Sequence, residues 1–149
     1  MVENAATLRR KLGIQPGARV ALVGAPDGFA EALGMPPVAM ELGAADAPGV
    51  DALDLDVIVC FAVARAALAG DFPHLVGRLA PTGGLWICWP KRASRVPTDL
   101  SDDVVREIGL GAGLVDNKVC AVDAVWSGQR FVVRVADRAA WGRARGTVA

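Results

Sequence analysis

The chain has 149 residues, with 16 acidic and 16 basic side chains and hydrophobic residues making up 53% of the total. This length suits a single domain, whose core buries roughly 68–70% of the surface that the unfolded chain exposes, and the balanced charge supplies no overall field for nucleic acid or an anionic membrane. No apolar run approaches the ~20 residues needed to span a bilayer, and the opening segment lacks a signal-peptide core, so the sequence reads as cytoplasmic with no membrane partner.

In chain order, Asn4 to Leu12 carries Leu8 and Leu12 at i,i+4 ahead of Gly13, which predicts a short amphipathic helix. The run from Arg19 to Val23 suits a buried strand that closes at Gly24, Ala25 and Pro26, and Asp27 is placed to cap a helix from Gly28 to Leu33. Pro37 to Leu42 is a weaker strand, and Gly43 to Asp54 is a loop rich in Ala, Asp, Gly and Pro. Leu55 to Phe61 is the strongest buried-strand signal, because the residues after Asp56 are all apolar and leave no solvent face. Gly70 and Pro73 divide the helical stretch Val63 to Leu79 into two short helices, and Pro81 to Gly84 turns the chain into the strand Leu85 to Trp89.

Ser101 caps a helix running to about Gly109, with Asp102 and Asp103 in its first turn, where they complement the helix dipole. Two strands follow, Asn117 to Trp126 and Gln129 to Val135, joined at Ser127 and Gly128 in a tight hairpin. Beyond Ala136 the residues Arg138, Trp141, Arg143 and Arg145 show no periodicity, which predicts a fraying tail. Cys60, Cys88 and Cys120 lie far apart in apolar runs without CxxC spacing and read as buried thiols of a reducing compartment.

Alternating strands and helices argue for parallel pairing, and a short hairpin forces its two strands antiparallel. The expected fold is therefore α/β: three-layer and Rossmann-like, a mostly parallel sheet of about six strands in the order 2-1-3-4-6-5, ending in an antiparallel hairpin. The expected divisions are an N-terminal helix over residues 1–15, the α/β domain over 16–135 and an Arg-rich tail over 136–149.

Three segments resemble the class I S-adenosylmethionine-dependent methyltransferase fold: Pro16 to Gly24 for its first strand, Asp54 to Val59 for the central one and Leu79 to Ile87 for the proline-glycine-glycine approach to the next. Lys11 to Ile14, Trp89 to Lys91, Pro97 to Leu100 and Asp116 to Asp123 are similar to a small bacterial family of unknown function, a likeness that covers more of the chain and implies no activity.

The methyltransferase resemblance implies that a cofactor would lie against Gly24, Ala25 and Asp27 after the first strand, beside Phe61, with Glu41 on its ribose hydroxyls. Pro26 removes an amide donor from that turn and Asp27 as a cap would occupy others, so no cofactor is assigned, S-adenosylmethionine being the one the resemblance implies. A solvated edge carboxylate is the favoured reading of Glu41, since glutamate is mostly exposed.

In open α/β sheets ligands bind beyond the carboxyl ends of the strands. Trp89 and Lys91 present an aromatic face and a cation there, and Lys118 is the third candidate for ligand contact. Core packing for Trp89 and solvation for Lys91 are the competing readings. Asp116 and Asn117 are explained by turn formation. His74 stands alone, without metal-ligand spacing or a nucleophile elbow, so neither a metal site nor a catalytic residue is assigned.

Trp126 and Trp141 suit either cover for the hairpin edge or contact with a second subunit in a homo-oligomer, and the tail is a weak nucleic-acid signal. The expected function is a non-catalytic methyltransferase-like domain that binds a small ligand or a protein. The alternative is a S-adenosylmethionine-dependent methyltransferase on a reduced scaffold.

Overall fold

Asn4 accepts a hydrogen bond from the Thr7 amide at 2.8 Å, and Gly13 takes a left-handed φ of 76°, so the first helix, α1 (Ala5–Leu12), begins and ends at its capping residues. The computed structural model describes residues 4–34, 40–42 and 54–141, of which 40–42 are described in backbone only. After α1 come β1 (Val20–Val23), α2 (Phe29–Leu33), β2 (Met40–Leu42), β3 (Leu55–Phe61), α3 (Arg65–Arg78), β4 (Leu79–Pro90), α4 (Asp102–Gly111), β5 (Leu114–Ala121) and β6 (Trp126–Val133). Short 3-10 turns follow β4 and β6, at Arg92–Ser94 and Val135–Asp137.

The strands form one sheet in the order β2-β1-β3-β4-β6-β5. β2, β1, β3 and β4 run parallel, and β6 lies antiparallel between β4 and β5. Alternation along the central strands divides the core into two layers. Val57, Val59 and Phe61 of β3 and Trp86 and Cys88 of β4 face α1 and α2, while Ile58, Cys60, Leu85, Ile87 and Trp89 face α3 and α4. Both faces are covered, which is why these strands read as continuous apolar runs. Asp56 is the exposed exception in β3, and its carboxylate accepts from the Arg19 amide at 2.9 Å, tying the starts of β1 and β3 together.

Five expectations are corrected. The stretch before β4 is one helix, α3, and not two, with Pro73 inside it. Leu68, Phe72 and Leu75 are buried in one stripe across the proline while Pro73 itself is exposed. Burying each of these side chains contributes about 1.5–3 kcal/mol, more together than the roughly 3 kcal/mol that an interior proline costs.

The hairpin does not turn at Ser127 and Gly128, which lie within β6. The loop is residues 122–125, closed by Asp123, whose Oδ1 accepts from the amides of Val125 and Trp126 at 2.8 Å each. Gly128 is there for close approach, since a Cβ would stand 2.9 Å from Val122 and 3.1 Å from Trp86.

Asp27 does not cap α2: Gly28 occupies the N-cap position at φ 86°, with no side-chain cap bond. Pro81 to Gly84 is an irregularity inside β4 and not a turn before it, with Leu79 paired to Leu55 and Gly84 to Val57. A Cβ on Gly83 would lie 2.7 Å from the Leu55 carbonyl, so the bulge needs glycine for room.

The tail does not fray as far as Trp141, whose indole packs against the α3 side of the core and donates to the Leu79 carbonyl at 2.7 Å. Arg143, Arg145, Pro37 and nearly all of the loop from Gly43 to Asp54 lie outside the described residues. Among the described residues no helix is long and apolar enough to cross a membrane.

Candidate functional site

β1, β3 and β4 point their carboxyl ends to one side of the sheet, so Gly24, Phe61 and Trp89 to Lys91 emerge at the same rim. At β1, Gly24 has φ 65°, and a Cβ there would come 3.1 Å from the Phe61 carbonyl. Glycine is therefore required both by conformation and by contact.

Ala25 packs against the α1–α2 layer, while Asp27 is exposed. Phe61 is turned into that layer and not toward an open crevice. Its ring meets Phe29 edge to face at 4.8 Å and Trp126 at 5.1 Å, so three aromatic rings from α2, β3 and β6 pack together on the α2 side of the sheet. Glu41 pairs with Leu22 in the middle of β2, and its side chain is outside the described residues. Of the five cofactor candidates, the fold thus brings Gly24, Ala25 and Phe61 together, with the rings of Phe29 and Trp126 packed on Phe61 beside them.

Beyond β4 the arrangement differs. A cavity of about 620 Å³ opens between the end of β4, the segment through Arg95 to Leu100, the first turn of α4 and the β5–β6 hairpin. Trp89 forms part of its wall while staying only 6% exposed, and Pro97, Leu100 and Val119 add apolar surface. Lys91, Arg92 and Arg95 bring three cations to it, opposed by the carboxylate of Asp102.

The wall is held by local bonds. The Lys91 amide donates to the Val125 carbonyl at 2.7 Å, and the Ser94 hydroxyl donates to the Lys91 carbonyl at 2.6 Å. The Thr98 hydroxyl donates to the Val63 carbonyl at 2.6 Å and accepts from the Leu100 amide at 3.0 Å. Asp99 accepts from the Arg65 amide at 2.6 Å, so it caps α3 from a distance where Ala64, the residue at the N-cap position, has no side chain to do so. The Pro97 to Leu100 motif is thereby explained as a latch between α3 and the cavity.

Trp89 and Lys91 are where the sequence placed them, but Lys118 is not with them. In register, Lys118 pairs with Arg130 and Arg130 with Trp86, which puts Lys118 on the α1 face, the opposite face from Trp89. Its ammonium donates to the Lys11 carbonyl at 3.0 Å and lies 6.0 Å from the centre of the Trp86 ring. Lys118 thus fastens the end of α1 to the sheet. Arg92, Arg95, Leu100 and Val119 were missed; the closely spaced basic residues from Lys91 to Arg95 were the available signal.

Trp126 and Trp141, suggested for an outer edge, are both engaged within the chain, on Phe61 and on the Leu79 carbonyl. Burial pushes the Cys60 thiol up to about 12, with Asp71 adding to it, and raises Cys88 well above the usual thiol range for the same first reason. These are thiols kept protonated by the core. Among the described residues no group of three or more His, Cys, Asp or Glu side chains gathers to hold a metal.

With a sheet of this order and a rim of this kind, solved structures supply the comparison. A S-adenosylmethionine-dependent methyltransferase from Aquifex aeolicus superposes with a TM-score of 0.61 at 14% identity, covering 89% of this chain and 91% of that one. The fold is that of the S-adenosylmethionine-dependent methyltransferases.

A TehB-like methyltransferase from Corynebacterium glutamicum matches at TM-score 0.60 and 14% identity over 90% of this chain and 89% of its own. Magnesium protoporphyrin IX methyltransferase from Synechocystis, solved with bound S-adenosylhomocysteine, matches at TM-score 0.60 and 12% identity over 87% of this chain and 83% of its own. At these identities the likeness carries the fold alone. No family model and no curated protein matches the chain, so the resemblance to a bacterial family rests on the residues quoted for it.

Proposed function

We propose that this chain is a methyltransferase-fold domain that binds a small ligand in the cavity beyond β4 and does not transfer a methyl group. One contrast carries the reading. Beside the ends of β1 and β3 the rings of Phe29, Phe61 and Trp126 are packed on one another, whereas the rim beyond β4 holds a cavity of about 620 Å³ lined by Trp89 and three cations. That volume lies within the range of small-molecule pockets, ~300–1,000 Å³. Opening the ring cluster would forfeit edge-to-face contacts of about 0.5–1.5 kcal/mol each, in addition to their buried area.

A second reading, an active methyltransferase on a reduced scaffold, is favoured by Gly24, whose left-handed backbone lets a ligand come close at the end of β1. Calorimetry and thermal shift with S-adenosylmethionine and S-adenosylhomocysteine separate the two. A ligand at about 100 times its Kd stabilises by ~2.7 kcal/mol, which for a domain of this size raises Tm by roughly 5–11 °C. The non-catalytic reading expects no shift with either compound. A shift of that size, reduced by Glu41→Ala, would overturn it in favour of the enzyme.

A further inference from the structure

Lys91, Arg92 and Arg95 all line one cavity, and among the described residues none of the three side chains has an ion-pair or hydrogen-bond partner. The ion pairs described are Arg65 with Glu107 at 3.5 Å and Arg106 with Asp116 at 3.3 Å. The one carboxylate in the lining, Asp102, cannot balance three cations.

Arg95 adds an independent sign. It holds φ 61°, one of two non-glycine residues at positive φ among those described, closing the 3-10 turn with its amide on the Arg92 carbonyl at 3.1 Å. Glycine would take this conformation without strain, so the arginine there stands against local backbone preference. The same lining includes Trp89 and Leu100, each 6% exposed, and the exposed apolar side chains of Pro97 and Val119, the last 60% exposed. Cations beside the exposed apolar side chains of Pro97 and Val119 do not suit an inorganic ion, which would leave most of a cavity of about 620 Å³ to water.

We propose that the ligand of this cavity is an organic anion with an apolar body, its carboxylate, sulfonate or phosphate group held by Lys91, Arg92 and Arg95 and its body laid on Pro97 and Val119 beside the edge of Trp89. The inference rests on the ligand-binding reading above and names the chemical class that reading leaves open. Arginine and lysine donors converging on one anion give charge-assisted hydrogen bonds, and Asp102 opposes them from the first turn of α4, selecting for a ligand whose charge lies toward Lys91 and Arg95.

The test pairs anions with neutral isosteres on the full chain: naphthalene-2-sulfonate against naphthalene-2-sulfonamide, and benzoate against benzamide, by calorimetry and by the indole shift of Trp89 in NMR. The anions are expected to bind at least about tenfold more tightly, a gap of ~1.4 kcal/mol, that narrows as ionic strength rises and screening sets in. A Lys91→Gln, Arg92→Gln, Arg95→Gln triple variant should erase the gap, with circular dichroism confirming that it folds. Asp102→Asn, which keeps an oxygen acceptor for the Asp103 amide, should raise anion affinity a few fold, an effect no merely structural role produces. Equal binding of anion and isostere, or an unchanged gap in the triple variant, overturns the charge assignment while the cavity remains a ligand site. Failure of all four probes to bind overturns the ligand-binding reading itself.

Discussion

Replacing Gly109 with alanine measures how closely α4, one wall of the cavity, is seated on the sheet. Judged as a helix position alone the change is favourable, because alanine exceeds glycine in helix propensity by about 1 kcal/mol. Packing opposes it. A Cβ at this position would lie 2.1 Å from Cε1 and 2.4 Å from Cδ1 of Phe131, against 3.4–4 Å for ordinary contact. Phe131 cannot swing aside, being fully buried on a central part of β6 with its ring edge to face against Phe72 at 6.1 Å.

The helix must therefore lift, and over-packing of this kind costs typically ~1–3 kcal/mol; contact with a fixed ring and not a flexible tip favours the upper end. Net of propensity, Gly109→Ala should destabilise by about 1–2 kcal/mol, lowering Tm by roughly 2–8 °C for a domain of this size. Urea and thermal melts give the value. Combining the change with Phe131→Leu, which vacates space, should recover part of the loss as a coupling of about 0.5–3 kcal/mol. If Gly109→Ala proved as stable as the parent, α4 would sit further from β6 than described, and the cavity wall at Leu100 and Ser101 would have to be redrawn with it.

Trp86→Phe keeps the core ring but removes the indole bond to the Leu12 carbonyl, 2.9 Å and buried, so it should cost about 1–3 kcal/mol and speed amide exchange across α1. Asp99→Ala strips the remote cap from α3 and should cost about 0.5–2 kcal/mol in urea melts. Arg95→Gly relieves a left-handed penalty of about 1–2 kcal/mol against glycine's extra unfolded-state entropy of about 0.5–1 kcal/mol, so stability in urea should hold or rise slightly while anion affinity falls. For the thiols, the folded value of Cys60, about 12, exceeds its ordinary 9.0, so the native state holds its proton longer than the unfolded chain. Stability from this source is complete below about pH 9 and falls as pH rises from there toward 12, and a Cys60→Ala variant should show a flatter alkaline melt across that window.

The sequence carried the sheet well because its central strands are buried on both faces. Val20 to Val23 and Val57 to Phe61 are short apolar runs rich in β-branched residues, which is the pattern of a doubly covered strand. It misled where a local signal met a tertiary use. Ser127 and Gly128 have turn chemistry, yet Gly128 serves to admit Trp86 and Val122, and the turn is made by Asp123 in a stretch without glycine. Pro73 has breaker chemistry, yet its helix is held by the stripe Leu68, Phe72 and Leu75.

At the site, Trp89 and Lys91 were legible because a strand end is a fixed address in an α/β sheet. Lys118 was not, since which face of an edge strand a residue takes depends on register, and β5 shifts register between Asp116 and Lys118. The closely spaced basic residues from Lys91 to Arg95 mark Arg92 and Arg95 in the sequence, but not that they line one cavity with Trp89, a segment held by the latch of Thr98 and Asp99 onto the start of α3.

The two sides of the rim differ because of one dipeptide on β6. Trp126 and Ser127 are consecutive, so their side chains point to opposite faces of the sheet. Trp126, opposite Pro90, sends the largest of side chains to the α2 face, where it packs on Phe61. Ser127, opposite Trp89, sends a small one to the α4 face, where the cavity lies. The strand that would be expected only to finish the sheet thereby supplies both a core ring on one face and a small lining residue on the other. The Asp123 turn sets this alternation: shifting the register of β6 by one residue would exchange the two faces, emptying the ring cluster and filling the cavity.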